Sequence, residues 1–323
     1  MTSAIRVHQT GGPEVLRWEG VEVAAPEPHE VVLRQHAVGL NFIDIYHRTG
    51  LYPQPLPFTP GVEGAGVVET VGADVTHLSL GDRVVYAGPI GAYAERRLIA
   101  ADRLVKLPDD IDFETAAAAM LQGMTVRMLV RSVYPVQSGD TILVHAAAGG
   151  VGLLLCQWAA SLGATVIGTV STDAKAELAR AHGCHHPIIY TQEDFVAAVE
   201  HVTGGKKVAV AYDSVGRDTF LRSLDCIRRR GMMVSFGQAS GPMDPLAPAL
   251  LAQKGSLFLT RPTLFDYIAE PEELQESADE LFAMILSGKL KVEVKQRFSL
   301  KDAAQAHRAL ESRATTGSTV LTV

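Results

Sequence analysis

The chain has 323 residues, 47% hydrophobic and 20% charged, which is enough for about two globular domains with separate cores. A formal net charge of −7 and the lack of a lysine/arginine run argue against a nucleic-acid surface. Cys156, Cys184 and Cys226 make no disulfide framework, no stretch reaches membrane-spanning length, and no apolar signal core opens the chain, so a cytoplasmic protein is expected.

The first 120 or so residues read as β-rich, with short apolar runs at 31–34, 64–71 and 82–86 broken by Gly and Pro. Pro53, Pro55, Pro57 and Pro60 predict a stiff, irregular loop after Tyr52. Asp112 is the expected cap of an alanine-rich helix. From Thr141 the pattern changes to strands at 141–146, 165–170, 187–190, 208–212, 232–236 and 256–260. Helical stretches at 173–182, 193–202 and 218–229 separate most of them, and Arg228–Arg230 reads as the solvated end of the last. Such alternation predicts a doubly wound parallel sheet in the order 3-2-1-4-5-6. Beyond Pro262 come helices at 271–287 and 300–312 and strands at 290–294 and 318–323, a tail expected to return to the front of the chain. The expected domains are therefore a β-rich catalytic domain (1–124), a dinucleotide-binding domain (125–261) and a return segment of the catalytic domain (262–323).

The run from Val144 to Leu154, VHAAAGGVGLL, lies between a strand and a helix. Glycines there let backbone approach a pyrophosphate at a helix N-terminus, so a dinucleotide site is expected. An NAD site places an acid after the second strand, about 20 residues beyond the turn. This chain has Ser171 there, followed by Lys175 within one helical turn, a charge suited to a 2′-phosphate. Asp173 looks like the cap of the next helix, so NADP(H) is expected rather than NAD(H).

The motifs VGLNFIDIY (from Val38), GLYP (from Gly50), GVEGAG (from Gly61), HAAAGGVG (from His145), YDSVGRD (from Tyr212) and LESRAT (from Leu310) together span the chain. It resembles the quinone oxidoreductases of the zeta-crystallin branch of the medium-chain dehydrogenases/reductases, the bacterial NADPH:quinone reductases above all. The resemblance implies an α/β protein with a GroES-like β-rich domain and a Rossmann domain. It implies that Asn41, Phe42, Ile43, Asp44 and Tyr46 line the nicotinamide end, while Gly149, Gly150, Val151 and Gly152 cradle the pyrophosphate. Ser171, Lys175, Tyr190 and Arg313 would surround the 2′-phosphate, and Ser214, Phe236 and Gly237 would edge the cofactor channel.

Zinc dehydrogenases of the same superfamily use a Cys near the first loop and a Gly-His-Glu turn. Here those positions hold Asn41 and Gly61-Val62-Glu63, and Glu63 alone cannot supply the three or so ligands of catalytic zinc. The His182-Gly-Cys-His-His186 cluster reads as a turn before the third strand, so no metal is expected. A quinone is electrophilic enough to accept hydride without a Lewis acid. It needs a flat slot and a donor for the developing phenolate. Tyr46 and Tyr52 are the slot candidates, Asn41 or a tyrosine hydroxyl the donor, and Asp44 a ribose ligand or a loop organiser. The alternative reaction is reduction of activated C=C bonds in enones or enoyl thioesters, with Tyr52 as proton donor. From a different class, the resemblance also admits a non-enzymatic, crystallin-like protein that binds nucleotide or AU-rich RNA. The apolar edge strand near Ser256–Thr260 predicts a homodimer.

Overall fold

A computed structural model describes residues 2–323. The chain divides into two compact units, Met1–Met124 with Ile268–Gly288 and Val292–Val323, and Thr125–Tyr267 with Lys289–Lys291. No helix among the described residues is long and apolar enough to cross a membrane.

In the first unit, β1 (Thr2–Val7) and β2 (Leu16–Val21) form an antiparallel pair, which the sequence pattern did not indicate. The main sheet is built on the long strand β3 (Glu30–Leu40), followed by helix α1 (Phe42–Thr49) and strands β4 (Glu63–Val71), β5 (Arg83–Ala87), β6 (Arg96–Ala100) and β7 (Val105–Lys106). Helix α2 (Phe113–Arg127) comes next, its first turn held by Asp112, which accepts from Thr115 N–H at 2.8 Å, as a cap should.

The second unit alternates strictly. Strands β8 (Thr141–Val144), β9 (Thr165–Val170), β10 (His186–Ile189), β11 (Val208–Asp213), β12 (Ile227–Ser235) and β13 (Phe258–Thr260) run parallel. Between them lie α3 (Gly150–Ser161), α4 (Asp173–Ala181), α5 (Phe195–Thr203), the short α6 (Phe220–Ser223) and α7 (Ala249–Gln253). The sheet order is β10-β9-β8-β11-β12-β13, the expected 3-2-1-4-5-6. Leu143, Ile167, Ile188, Ala211 and Met233 are buried with Phe195, Val199 and Phe220, as apolar strands covered by helices must be. The chain then re-enters the first unit through α8 (Pro271–Leu286), β14 (Val294–Ser299), α9 (Ala303–Glu311) and β15 (Ser318–Thr322). Strand β15 pairs antiparallel with β3 and parallel with β14, so the tail completes the seven-stranded sheet.

Three local expectations are corrected. The helix expected at 218–229 is only α6 and a 3-10 turn, Leu224–Cys226. Strand β12 begins at Ile227, and because Ile227 pairs with Val208 but Met232 with Val210, Arg228–Arg230 form an exposed bulge rather than a helix end. Arg230 sits at φ +58°, its N–H bonded to Gly255 O, so a local hydrogen bond holds what propensity would not place there. Helix α4 is capped by Thr172, which accepts from Lys175 N–H, and Asp173 is its first residue rather than its cap. The penultimate strand is β14 at Val294–Ser299, not 290–294, because its register with β15 begins at Val294↔Ser318.

Candidate functional site

The second unit carries the nucleotide candidates at the carboxyl ends of its strands, where open parallel sheets bind ligands. The order reverses between β8 and β11, and beyond β8 the chain turns at Ala146 with φ +53°. It enters α3 at Gly149, whose backbone begins the helix without a side-chain cap. A Cβ on Gly152 would lie 2.2 Å from Ala146 O, so only glycine lets α3 sit this close to the turn. The first N–H groups of α3 thus point toward a space suited to phosphate. Buried His145 fixes the approach to this turn, bonding Thr169 Oγ1 at 2.9 Å and Ser223 Oγ at 2.8 Å. Burial lowers its pKa, so it serves as a neutral strut.

Ser171 follows β9, and Lys175 stands in the first turn of α4, its ammonium pKa lowered by partial burial. Tyr190 is exposed just past β10, its N–H donating to Val170 O at 3.1 Å. These three residues therefore collect at neighbouring strand ends. Ser214 follows β11, while Phe236 and Gly237 follow β12 with both N–H groups directed at Asp213 O. A Cβ on Gly237 would meet Ser214 O at 2.6 Å, which keeps these two loops in close contact. Asp213 braces the loop through N–H bonds from Val215 (2.7 Å) and Gly216 (3.0 Å). The glycine cradle, the uncapped helix start and the basic residue after β9 fit a phosphorylated dinucleotide.

The substrate candidates of the first unit gather on α1. Asn41 begins the helix and its N–H donates to Asp44 Oδ2 at 3.0 Å. Gly50 ends it in the left-handed conformation at φ +81°. Phe42 and Ile43 are partly exposed, whereas Asn41 and Tyr46 are 8% exposed and Asp44 is fully buried. Tyr52, half-buried at the head of the proline loop, sits edge-on to Tyr46 at 5.2 Å and bonds its N–H to Tyr46 O. The two tyrosines are thus a packed aromatic pair at the end of the helix. Arg313 is exposed at φ +58° in the turn before β15.

Beneath α1 lies a polar network that the sequence did not reveal, because its members are up to 263 positions apart. Arg48 is buried and donates to Gly11 O, to both carboxylate oxygens of Glu311 and to His307 Nδ1 at 3.1 Å. A guanidinium only donates, so the His307 proton sits on Nε2, facing Tyr93 Oη at 3.1 Å. Tyr93 O–H in turn donates to Asp44 Oδ2 at 3.0 Å. Burial, and then Arg48, lower the His307 pKa to about 3. Burial raises Asp44 to about 7 against its hydrogen bonds from Asn41 and Tyr93, and Asp44 Oδ1 has no partner among the described residues. On the other side of Asn41, Glu63 is buried and raised to about 8, again chiefly by burial. The motif around Gly61 drew attention to Glu63, but no local pattern marked Gln122, Tyr93, His307 or Ser318.

Among the described residues no group of three or more His, Cys, Asp or Glu side chains could hold a metal ion. Asn41, in the place of the first zinc ligand, is engaged with Glu63 and Gln122, and His182 caps α4 by bonding Leu178 O at 2.8 Å. The donor set does not fit zinc.

Residues 27–109 match the alcohol dehydrogenase GroES-like domain, and residues 182–321 match the zinc-binding dehydrogenase family. A quinone oxidoreductase of Pseudomonas aeruginosa is 54% identical over 99% of both chains. The crystal structure of Escherichia coli quinone oxidoreductase complexed with NADPH superimposes with a TM-score of 0.98 at 51% identity, covering 99% of this chain and 100% of that one. A 2-haloacrylate reductase from Burkholderia is 46% identical over 99% of both chains. Relatives this similar along the whole length, on a fold with the same two sheets, place the chain in the quinone oxidoreductase family of the medium-chain dehydrogenases/reductases.

Proposed function

We propose that the protein reduces quinones with NADPH, transferring hydride from the nicotinamide to the acceptor without a metal. The observation that carries the cofactor choice is the end of β9, where Ser171 and Lys175 stand in place of an acid and Thr172 caps α4. Lys175 and Tyr190 are assigned to the 2′-phosphate, with Arg313 as a further cation. Gly149 to Gly152 are assigned to the pyrophosphate, and Ser214, Phe236 and Gly237 to the walls around the bound nucleotide. When bound, NADPH supplies the hydride. The protein's own part is to hold the acceptor flat and to meet the charge that develops on its oxygen. Tyr46 and Tyr52 are assigned to the flat face. The Asn41 amide, or a hydroxyl of that pair, is assigned to the oxygen. Phe42 and Ile43 line the same end, and Asp44, buried and bonded to Asn41 N–H and Tyr93, acts by ordering the helix start.

A second reading, reduction of activated C=C bonds, is favoured by the relative named 2-haloacrylate reductase. Steady-state NADPH oxidation with 1,4-benzoquinone, 1,2-naphthoquinone and an enone separates the two. Turnover of the quinones with little enone reduction supports the proposal, and the reverse order replaces it. Absence of turnover with every acceptor would revive the non-enzymatic reading. The proposal also includes a homodimer joined along β13, whose Phe258 is 60% exposed at the sheet edge. A cytoplasmic setting, consistent with three free buried thiols, completes it.

A further inference from the structure

The Asn41 amide is gripped at both ends by residues far from it in sequence. Leu121 N–H donates to Glu63 Oε2 at 2.8 Å, and Asn41 Nδ2 donates to Glu63 Oε1 at 2.5 Å. Gln122 Nε2 donates to Asn41 Oδ1 at 3.2 Å. Ser318 O–H lies 2.9 Å from Gln122 Oε1 and 3.2 Å from Ala118 O, ending the chain on a hydroxyl donor. Gly39 has no room for a Cβ, which would fall 2.1 Å from Glu63 Oε1, so the carboxyl is wedged against β3.

The direction of this chain follows from its first member. Once ionised, which burial delays to above about pH 8, the Glu63 carboxylate only accepts hydrogen bonds. With one Glu63 oxygen taken by Leu121 N–H, the other must receive the nitrogen end of Asn41. The oxygen end of Asn41 then faces Gln122, which has to present its nitrogen and leave its own oxygen to Ser318. One buried acceptor therefore orients two amides in series. The chain uses one N–H and one lone pair of Asn41, and the capping box of α1 turns the Asn41 oxygen toward the Asp44 N–H as well, so one N–H is left. Turning the amide over would put a carbonyl oxygen where the spare N–H had been.

We propose that Glu63, Gln122 and Ser318 are positioning residues that orient the Asn41 amide so that it offers an N–H to the reacting oxygen of the acceptor. The inference rests on the assignment of Asn41 to that oxygen. A carbonyl turned toward a developing phenolate would repel it, so orientation as well as presence of Asn41 matters to turnover.

The test uses Glu63→Gln, and Glu63→Gln combined with Gln122→Glu, in the full chain. In the single variant the new carbonyl still accepts from Leu121 N–H, so its new amide nitrogen faces Asn41 and turns it over, with Gln122 following. The single variant also removes a carboxyl whose charge burial disfavours, so the fold is expected to hold. In the double variant the reversed chain is fully paired, with the carboxylate now accepting from Asn41 Nδ2 and Ser318. Thermal stability and NADPH binding, read by fluorescence, should be close to wild type in the double variant. Its kcat with 1,4-benzoquinone, compared with wild type at about pH 9 where Glu63 is ionised, should remain at least about tenfold low, in line with losing an oxyanion donor. Recovery of kcat together with Tm in the double variant would overturn the proposal, because a purely structural chain needs only to be paired. Should the double variant not fold, wild-type kcat in Glu63→Gln would overturn it equally.

A pH profile adds a readout on the wild type. The N–H donors on both Glu63 oxygens suit the ionised form, and a proton on Oε1 calls for the opposite Asn41 orientation. The charged and titratable groups around Glu63 are Asp44 on α1, Tyr86 on β5 and Tyr93 beyond it. Wild-type kcat should fall as pH is lowered through about 8, while Glu63→Gln, which retains Asp44 and both tyrosines, lacks that step. Parallel profiles would overturn the proposal. Asn41→Ala separates the two levels of inference. Unchanged kcat in that variant removes Asn41 from the substrate, whereas a lowered kcat beside a fully active double variant removes only the positioning chain.

Discussion

Replacing Lys175 with Glu tests how the nucleotide is chosen. The backbone N–H of Lys175 is held by the Thr172 cap at 3.3 Å, and the substitution leaves that backbone bond in place. An acid in a first helical turn is favourable by about 0.3–1 kcal/mol, so Tm should not fall. Toward a 2′-phosphate the effect is opposite. Loss of a charge-assisted hydrogen bond costs about 1.5–3 kcal/mol, roughly ten- to a hundredfold in affinity, and the new carboxylate adds repulsion. NADH, without the phosphate, should be bound nearly as before. The assay is KM for NADPH and for NADH at one fixed quinone concentration, at low and at raised salt, with the NADPH penalty shrinking as salt screens the repulsion. An equal rise in both KM values would refute the assignment of Lys175 to the phosphate. A large drop in Tm would show instead that its side chain serves α4.

Tyr52→Ala should raise the quinone KM while Tyr52→Phe changes little if the ring does the holding; if the hydroxyl meets the phenolate, Phe should lower kcat by about ten- to a thousandfold. Wild-type kinetics in both variants would remove Tyr52 from the substrate. Prolonged treatment with a strong chelator should leave kcat unchanged and metal analysis should find well below one zinc per chain; a stoichiometric zinc whose removal abolishes turnover would contradict the donor argument at Asn41 and Val62. Stability should follow the buried network. Asp44 and Glu63, raised to about 7 and about 8, contribute stability that is whole below their ordinary values of 3.8 and 4.5 and lost as pH climbs through 7 to 8. His47 and His307, lowered to about 4 and about 3, contribute stability that is whole above 6.5 and lost as pH falls toward those values. These four groups cancel between about pH 4.5 and 6.5. Buried His145 and half-buried His36, also lowered chiefly by burial, leave a net loss there as pH falls. Scanning fluorimetry should therefore find the highest Tm near about pH 6.5 and a fall on either side, at up to about 1.4 kcal/mol per group per pH unit. A Tm that rises from pH 6.5 to 8 would be the wrong sign.

What could be read from the sequence and what could not divide along a physical line. The parallel sheet was legible because its strands are buried on both faces, so Ile142 to Val144 or Val208 to Ala211 appear as uninterrupted apolar runs between helical segments. The glycine turn was legible because a close approach of backbone to backbone, as at Gly152 and Ala146 O, leaves a residue type as its mark. Where a local hydrogen bond overrules propensity, the reading slips. Thr172 rather than Asp173 caps α4, and Arg230 sits in a left-handed bulge where a helix end was expected. Helix α1 escaped because a single eight-residue helix offers only two turns of pattern, too few to stand out from the β-rich background. The polar network beneath it is illegible for a deeper reason. Hydrogen-bond chains such as Arg48–His307–Tyr93–Asp44 and Ser318–Gln122–Asn41–Glu63 carry no period and no spacing, since each link is made by folding. The motif around Asn41 marks where the substrate is to be met. Which atoms it presents there is decided by Glu63, 22 positions on, and by Gln122, 81 positions on, so the chemistry of the motif is completed by residues outside it.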